Sequence, residues 1–376
     1  MDQRTVDIYE HNAAAYGVRR RAYAPDRSEQ FAAMLPPGGV RIDLGSGPGH
    51  YLPHLGTPAV AVDTALAMVA EARRRHPGTP GLAADLEALP LRPGSVAGVW
   101  VSKSLQHVAR TRLPLALAGL HRALALGGTL DLTVFRADGD DRTGIDDDFP
   151  GRHFTWWRPD ALIDVVVGAG FTVDRISGAP AIGATDDDQG RLVEHGPLTV
   201  RATRARTLPD TVGPGMRLLV CGLNPSVHAA DAGVGFARPG NRFWPAARAA
   251  GIVSVDRSPD RALVDDGVGM TDIVKRATVA AAELSASEYR GGLARVERLV
   301  GWLRPRAVCF VGLAGWRAAV DRRAQAGVQP SGLAGVPVYV MPSTSGLNAR
   351  CPLAELTDHL RAAARLCQRQ HPSRRH

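Results

Sequence analysis

Val40-Arg41-Ile42-Asp43-Leu44-Gly45-Ser46-Gly47-Pro48-Gly49 is an apolar run that breaks into alternating glycines. The run reads as a buried strand, and the glycines let the backbone turn tightly where a side chain would exclude a ligand. Working outward, apolar strand runs recur at 59–62, 98–102 and 129–134, with helical stretches at 66–75 and 113–126 between them. This rhythm predicts a doubly wound parallel sheet. A further helix is expected over 154–171 and a last strand at 198–203 on the sheet edge. The acidic stretches 138–148 and 178–190 read as solvated surface loops without an EF-hand pattern.

At 376 residues the chain exceeds a typical single core, so two domains are expected, 1–205 and 206–376. The pattern resets at Thr207-Leu208-Pro209-Asp210 and Gly213-Pro214-Gly215. A second α/β unit then runs through strand 216–221, helices near 242–251 and 294–303, strands 307–311 and 336–340, and a final amphipathic helix 353–369. Charge divides at the same place. Residues 1–205 hold 22 Lys and Arg against 24 Asp and Glu, whereas 206–376 hold 23 against 13. A polyanionic partner is therefore expected for the second half only.

The remaining bulk features exclude rather than assign. No apolar run approaches the roughly 20 residues of a membrane span, and the N-terminus lacks a secretory layout, so a cytoplasmic protein without membrane partners is expected. Cys221, Cys309, Cys351 and Cys367 form no Cys-x-x-Cys pair, which argues against zinc, an iron–sulfur cluster or a disulfide framework. No metal is expected.

In the first half the glycine loop is followed by Asp63 at the end of the second strand and by Asp85 in Ala84-Asp85-Leu86-Glu87-Ala88-Leu89-Pro90. The glycine spacing is Gly-x-Gly-x-Gly, not that of dinucleotide binding. With Leu126-Gly127-Gly128-Thr129-Leu130 and the segment Trp157-Arg158-Pro159 to Gly170-Phe171, residues 1–205 resemble a class I S-adenosylmethionine-dependent methyltransferase. The resemblance implies a Rossmann-like fold with S-adenosylmethionine as cofactor. It implies that Asp43, Gly45, Gly47 and Gly49 form the methionine side of the site, that Asp63 holds the ribose and that Asp85 meets the adenine amino group. The methyl acceptor is open. Ser102-Lys103-Ser104-Leu105-Gln106-His107 replaces the Asn/Asp-Pro-Pro-Tyr loop of base-methylating DNA enzymes, and the half has no cysteine for attack on cytosine. His107 reads either as a general base or as a structural residue, and Phe154, Trp156 and Trp157 either as a substrate cover or as core.

In the second half, Gly222-Leu223-Asn224-Pro225-Ser226 places an uncharged amide directly after a strand. Met341-Pro342-Ser343-Thr344-Ser345-Gly346-Leu347-Asn348-Ala349-Arg350 places a hydroxyl-rich turn, an apolar residue and a cation after another. Together with Phe236-Ala237-Arg238-Pro239-Gly240-Asn241-Arg242-Phe243-Trp244 and Gly269-Met270-Thr271-Asp272-Ile273-Val274, these resemble the mismatch-specific uracil/thymine DNA glycosylase family, of α/β/α architecture. The resemblance implies that Asn224 directs a water at C1′ and that Phe236 stacks on an extruded base beside Gly222, Leu223, Ala229 and Ser343. It implies that Leu347 fills the vacated stack, with Ser345, Gly346 and Arg350 on the DNA backbone. No cofactor is implied for this half. Three positions depart from the family pattern: Ser226 stands in place of glycine, Asp272 in place of a neutral or basic residue, and the wedge segment is one residue longer.

The leading expectation is a fused enzyme that removes uracil opposite guanine, with thymine and etheno bases as open extensions, and that carries a methyltransferase of unknown acceptor. Its partner is double-stranded DNA with G·U or G·T mismatches, which places it at the nucleoid when bound. The rival expectation is a methyltransferase of a small molecule or RNA whose second half only binds DNA or acts independently.

Overall fold

The computed structural model describes residues 1–136, 142–143, 148–178, 196–348 and 350–368. The acidic stretches 138–148 and 178–190 lie almost wholly outside the described residues, as does Ala349 of the wedge segment. The chain divides into two compact units, Met1–Val167 with Phe171–Ala205 and Gly168–Gly170 with Arg206–His376.

In the first unit, α1 (Gln3–Arg19) and α2 (Pro25–Ala33) precede β1 (Arg41–Leu44). There follow α3 (Leu52–Leu55), β2 (Ala59–Asp63), α4 (Leu66–Arg75), β3 (Gly81–Ala83), β4 (Val96–Ser102), α5 (Leu113–Ala123) and β5 (Leu124–Arg136). Strands β1, β2 and β4 are buried nearly throughout, as strands covered on both faces must be. A two-residue ladder joins β6 (Arg142–Thr143) to β7 (His153–Phe154), and β8 (Trp156–Trp157) pairs with the end of β5. Then come α6 (Pro159–Gly168), β9 (Phe171–Gly178) and β10 (Pro197–Arg204).

The sheet order is β3-β2-β1-β4-β5-β10-β9, parallel through β5 and antiparallel thereafter. Strand 198–203 is therefore not at the edge. It lies between β5 and β9, with Leu198, Val200 and Ala202 turned inward. The edge is β9, whose Thr172, Asp174 and Arg175 suit one open side. The expected helix 154–171 is shorter than its apolar pattern suggested. Trp156 and Trp157 are extended against β5, and the helix waits for Pro159, which favours a first turn.

The second unit holds β11 (Leu218–Gly222), α7 (Val227–Ala232), α8 (Phe243–Ala249), α9 (Pro259–Val264) and β12 (Val268–Asp272). It continues with α10 (Ala286–Leu303), β13 (Ala307–Val311), α11 (Leu313–Ala319), β14 (Gly327–Val328), β15 (Val338–Met341) and α12 (Leu353–Leu366). The order is β12-β11-β13-β15-β14, with only the β14 pairing antiparallel. On α12, Leu356, Leu360, Ala363 and Leu366 are buried at helical spacing and join the core that includes Val220, Cys309 and Met341. No described helix is long and apolar enough to cross a membrane.

Each sheet has one point where the winding reverses, between β1 and β4 in the first unit and between β11 and β13 in the second. Open α/β sheets bind ligands outside the carboxyl ends of strands at that point. The Gly45–Gly49 loop leaves β1 there, and the Asn224 loop leaves β11 there.

Candidate functional site

In the first unit the three loop glycines are all left-handed, with φ of +69° at Gly45, +51° at Gly47 and +81° at Gly49. A Cβ at Gly45 would overlap Ser104, whose hydroxyl donates to the Leu44 carbonyl at 2.7 Å. The loop is thus pressed against the segment that follows β4. Asp63 closes it from β2: its carboxylate accepts the Gly47 amide at 2.8 Å and the Ala65 amide at 3.0 Å. Burial outweighs these bonds and pushes Asp63 up to about 6. Asp43 is buried, one of its carboxylate oxygens has no partner, and burial beside Asp63 pushes it up to about 8. Asp85 is half exposed at the end of β3 and accepts the Glu87 amide at 3.0 Å.

His107 is buried, and both ring nitrogens are engaged. Nδ1 faces the His153 carbonyl at 2.6 Å and must carry the proton, so Nε2 accepts from the Tyr9 hydroxyl at 2.8 Å. Arg152 in turn donates to that hydroxyl at 2.7 Å. Burial drives His107 down to about 3, which keeps the imidazole neutral. The ring orders the loop after β4. Phe154 packs on this ring and Trp156 on Phe154, while Trp157 is buried under the Arg110 guanidinium; all three follow the core alternative of their sequence reading.

In the second unit the Asn224 side chain is fixed by its nitrogen. Nδ2 donates to the carbonyls of Pro225 (3.1 Å) and Arg276 (2.9 Å) and to the Thr278 hydroxyl (2.8 Å). Two carbonyl acceptors determine which end of the amide faces them. Among the described residues nothing donates to Oδ1. The holding segment is itself held: Thr278 is buried and its carbonyl accepts the Val227 amide at 3.1 Å, while Arg276 pairs with Glu288 at 2.7 Å. Arg276 and Thr278 lie just beyond the Gly269–Val274 motif and were not singled out from sequence. Polar anchors 52 and 54 residues beyond an Asn carry no local signal.

Phe236 has φ +59°, an outlier for a bulky residue, and its ring stacks on buried Phe243 at 4.2 Å between centroids and 23° between planes. Its Cζ lies 3.5 Å from the point a Gly222 Cβ would occupy, so the ring forms a wall across from Gly222. Leu223 points elsewhere, against Gly312 and Gly315 at the start of α11. Ala229 is buried in α7, where its amide donates to the Ser226 hydroxyl at 3.1 Å. Ser226 therefore serves as the N-cap of that helix, which explains its tolerance in place of glycine.

The wedge segment is an ordered turn with a bare tip. Ser343 and Ser345 hydroxyls accept the amides of Ser345 and Leu347, each at 3.3 Å. Arg242 donates to the carbonyls of Ser345 (3.0 Å), Asn348 (2.6 Å) and Cys351 (2.6 Å). Leu347 at the tip is 85% exposed, and Gly346 and Arg350 are exposed beside it. The hydrogen bonds of Arg242 thus fasten this turn.

Residues 42–131 match the family described as a methyltransferase domain, and residues 209–364 match the uracil DNA glycosylase superfamily. Similar solved structures include the complex between the Haloferax volcanii Trm112 methyltransferase activator and a methyltransferase. It shows 19% identity over 54% of this chain and 97% of that chain, with a TM-score of 0.42. A Methanosarcina mazei S-adenosylmethionine-dependent methyltransferase shows 14% identity over 50% and 99%, with a TM-score of 0.39. Burkholderia thailandensis 1,6-didemethyltoxoflavin-N1-methyltransferase with bound S-adenosylhomocysteine shows 19% identity over 53% and 85%, also at 0.39. The chain is a fusion of a methyltransferase domain with a domain of the uracil DNA glycosylase superfamily.

Proposed function

We propose that the second domain hydrolyses the N-glycosidic bond of uracil opposite guanine in duplex DNA, with thymine and etheno bases as further substrates. The observation that carries this reading is Asn224, whose nitrogen is tied by three acceptors while its oxygen stays available to a water. In the reaction the C1′–N1 bond breaks and its electron pair leaves with the base. The water oxygen bonds C1′, and the water's protons end on the sugar hydroxyl and the released base. Positive charge develops on the sugar and negative charge on the base. A neutral amide oxygen orients the water without having to be a strong base, because holding it in line is itself a large part of the gain.

The face of the Phe236 ring turned away from Phe243 would supply a stacking surface worth about 1–3 kcal/mol per base, and Leu347 would fill the gap left by an extruded base. Ser343, Ser345, Gly346 and Arg350 line the adjoining backbone, in keeping with the positive balance of this half. The test is a duplex containing one G·U pair. The protein is expected to generate abasic sites, and Asn224→Ala to lower the single-turnover rate about 100-fold or more with duplex affinity retained. Salt-sensitive binding without excision, unchanged by Asn224→Ala, would leave a DNA-binding module in its place.

The first domain is proposed to bind S-adenosylmethionine. The left-handed glycine cradle, the Asp63 carboxylate and the unpartnered Asp43 oxygen fit a ligand that carries ribose hydroxyls and a cationic amino-acid end. Asp85, whose carboxylate accepts from the Met1 amine at 3.4 Å, would turn to the adenine. When bound, that cofactor supplies an electrophilic methyl group; the acceptor is not assigned.

A further inference from the structure

Consecutive residues at the start of α8 hold separate pieces of the candidate site. Phe243 backs the Phe236 ring, and the Trp244 indole donates to the Gly235 carbonyl at 2.8 Å, fixing the backbone just before that ring. Arg242 holds the other piece, the turn that carries Leu347. Its amide donates to the carbonyl of buried Thr344 at 2.9 Å, and its guanidinium reaches the carbonyls of Ser345, Asn348 and Cys351. Carbonyl dipoles that converge on one point repel one another unless a cation stands between them. A planar fork of donors meets this need, and a single ammonium point meets it poorly.

The turn and the segment leading into Arg242 also touch. A Cβ at Gly346 would lie 2.9 Å from the Gly240 carbonyl oxygen, so close approach is what demands a glycine beside the tip. Asn348 closes the turn from within by donating to the Ser343 carbonyl at 2.9 Å.

We infer that Arg242 is a positioning residue that fixes Leu347 relative to the Phe236 wall, so that filling the vacated stack and receiving the extruded base occur as one movement. This rests on the glycosylase reading of the domain. A base swung out of the duplex falls back unless its gap is filled while the base meets its wall. Leu347 does the first and the Phe236 ring the second, and a fixed separation makes them simultaneous. Arg242 and Phe243 are neighbours in the chain, so that separation is set across one peptide unit. Asn224 stands on another loop with its own anchors, Arg276 and Thr278. Arg242 therefore governs extrusion and leaves the bond-breaking step alone.

The full-length protein is compared with Arg242→Gln, Arg242→Lys, Gly346→Ala and Leu347→Ala in single turnover at saturating protein. One duplex carries uracil opposite guanine. A second carries it opposite a pyrene nucleotide, whose ring fills the vacated stack from the other strand. On the G·U duplex each variant is expected to release uracil about tenfold more slowly or worse. On the pyrene duplex each is expected to come within about twofold of wild type, whereas Asn224→Ala stays slow on both. Arg242→Gln combined with Leu347→Ala is expected to be no slower than Leu347→Ala alone, since both remove one event. Arg242→Lys at full rate on G·U would mean that charge suffices, and overturns the inference. A loss that pyrene leaves in place for both Arg242→Gln and Gly346→Ala also overturns it, with the glycosylase reading intact. If duplex binds and wild type releases uracil from neither duplex, the glycosylase reading falls and takes this inference with it.

Discussion

The loops after β1 and β11 occupy the same topological place in their sheets and solve opposite problems. After β1 the chain removes side chains: of three left-handed glycines the first lies against Ser104, and the carboxylates Asp43 and Asp63 are buried beside the loop. After β11 one glycine suffices, and the next polar side chain is a carboxamide held at its nitrogen by three acceptors. The first loop is a turn of bare backbone backed by two buried acids. The second fixes one neutral oxygen in space. Equal position at a switch point therefore predicts where a ligand goes, while the residues on the loop decide whether the site is a container or a pointer.

The comparison breaks most readily at Gly45. Gly45→Ala adds a Cβ that overlaps Ser104 on a backbone that disfavours side chains. Titration of S-adenosylmethionine by fluorescence should show affinity lowered about 100-fold or more, with uracil release unchanged. A smaller effect sharpens the other side. Thr278→Val removes one of three anchors on Asn224 and should lower the single-turnover rate about fivefold with little change in duplex affinity, since a hydrogen bond contributes about 1 kcal/mol. Full activity would show that the two carbonyls alone fix the amide.

The smallest effect is in stability. Asp43 and Asp63 sit at about 8 and about 6, both raised above the ordinary 3.8 by burial. The folded state holds these protons more tightly than the unfolded chain. The stability they contribute is therefore complete below pH about 4 and is lost as the pH rises through 6 and 8. Without ligand, Asp43→Asn should raise the first domain's melting temperature at pH 8 by about 5 °C and leave it unchanged at pH 4. An equal change at both values would refute the electrostatic account.

Strand positions were legible because buried parallel strands are short apolar runs, and Ala307–Val311 falls where the pattern put it, as does the helix Leu66–Arg75. The order of the last strands was not, because sequence adjacency favours placing the final strand outermost. Here β10 inserts beside β5, and only the polar face of β9 gives this away. Strand β12 went unmarked although it carries Asp272: Gly267 and Gly269 interrupt its apolar run, and its five residues are short. The candidate site residues stand in recognisable motifs. Those that hold them, such as Thr278 for Asn224 and Tyr9 for His107, are set by the fold and leave no trace in local spacing.

Arg242 reaches three carbonyls of the turn that displays Leu347. The entropy of shaping that turn was spent once, when the domain folded, and is not charged again at each encounter. A hydrophobic tip kept rigid in this way can test many surfaces quickly and let go of most of them.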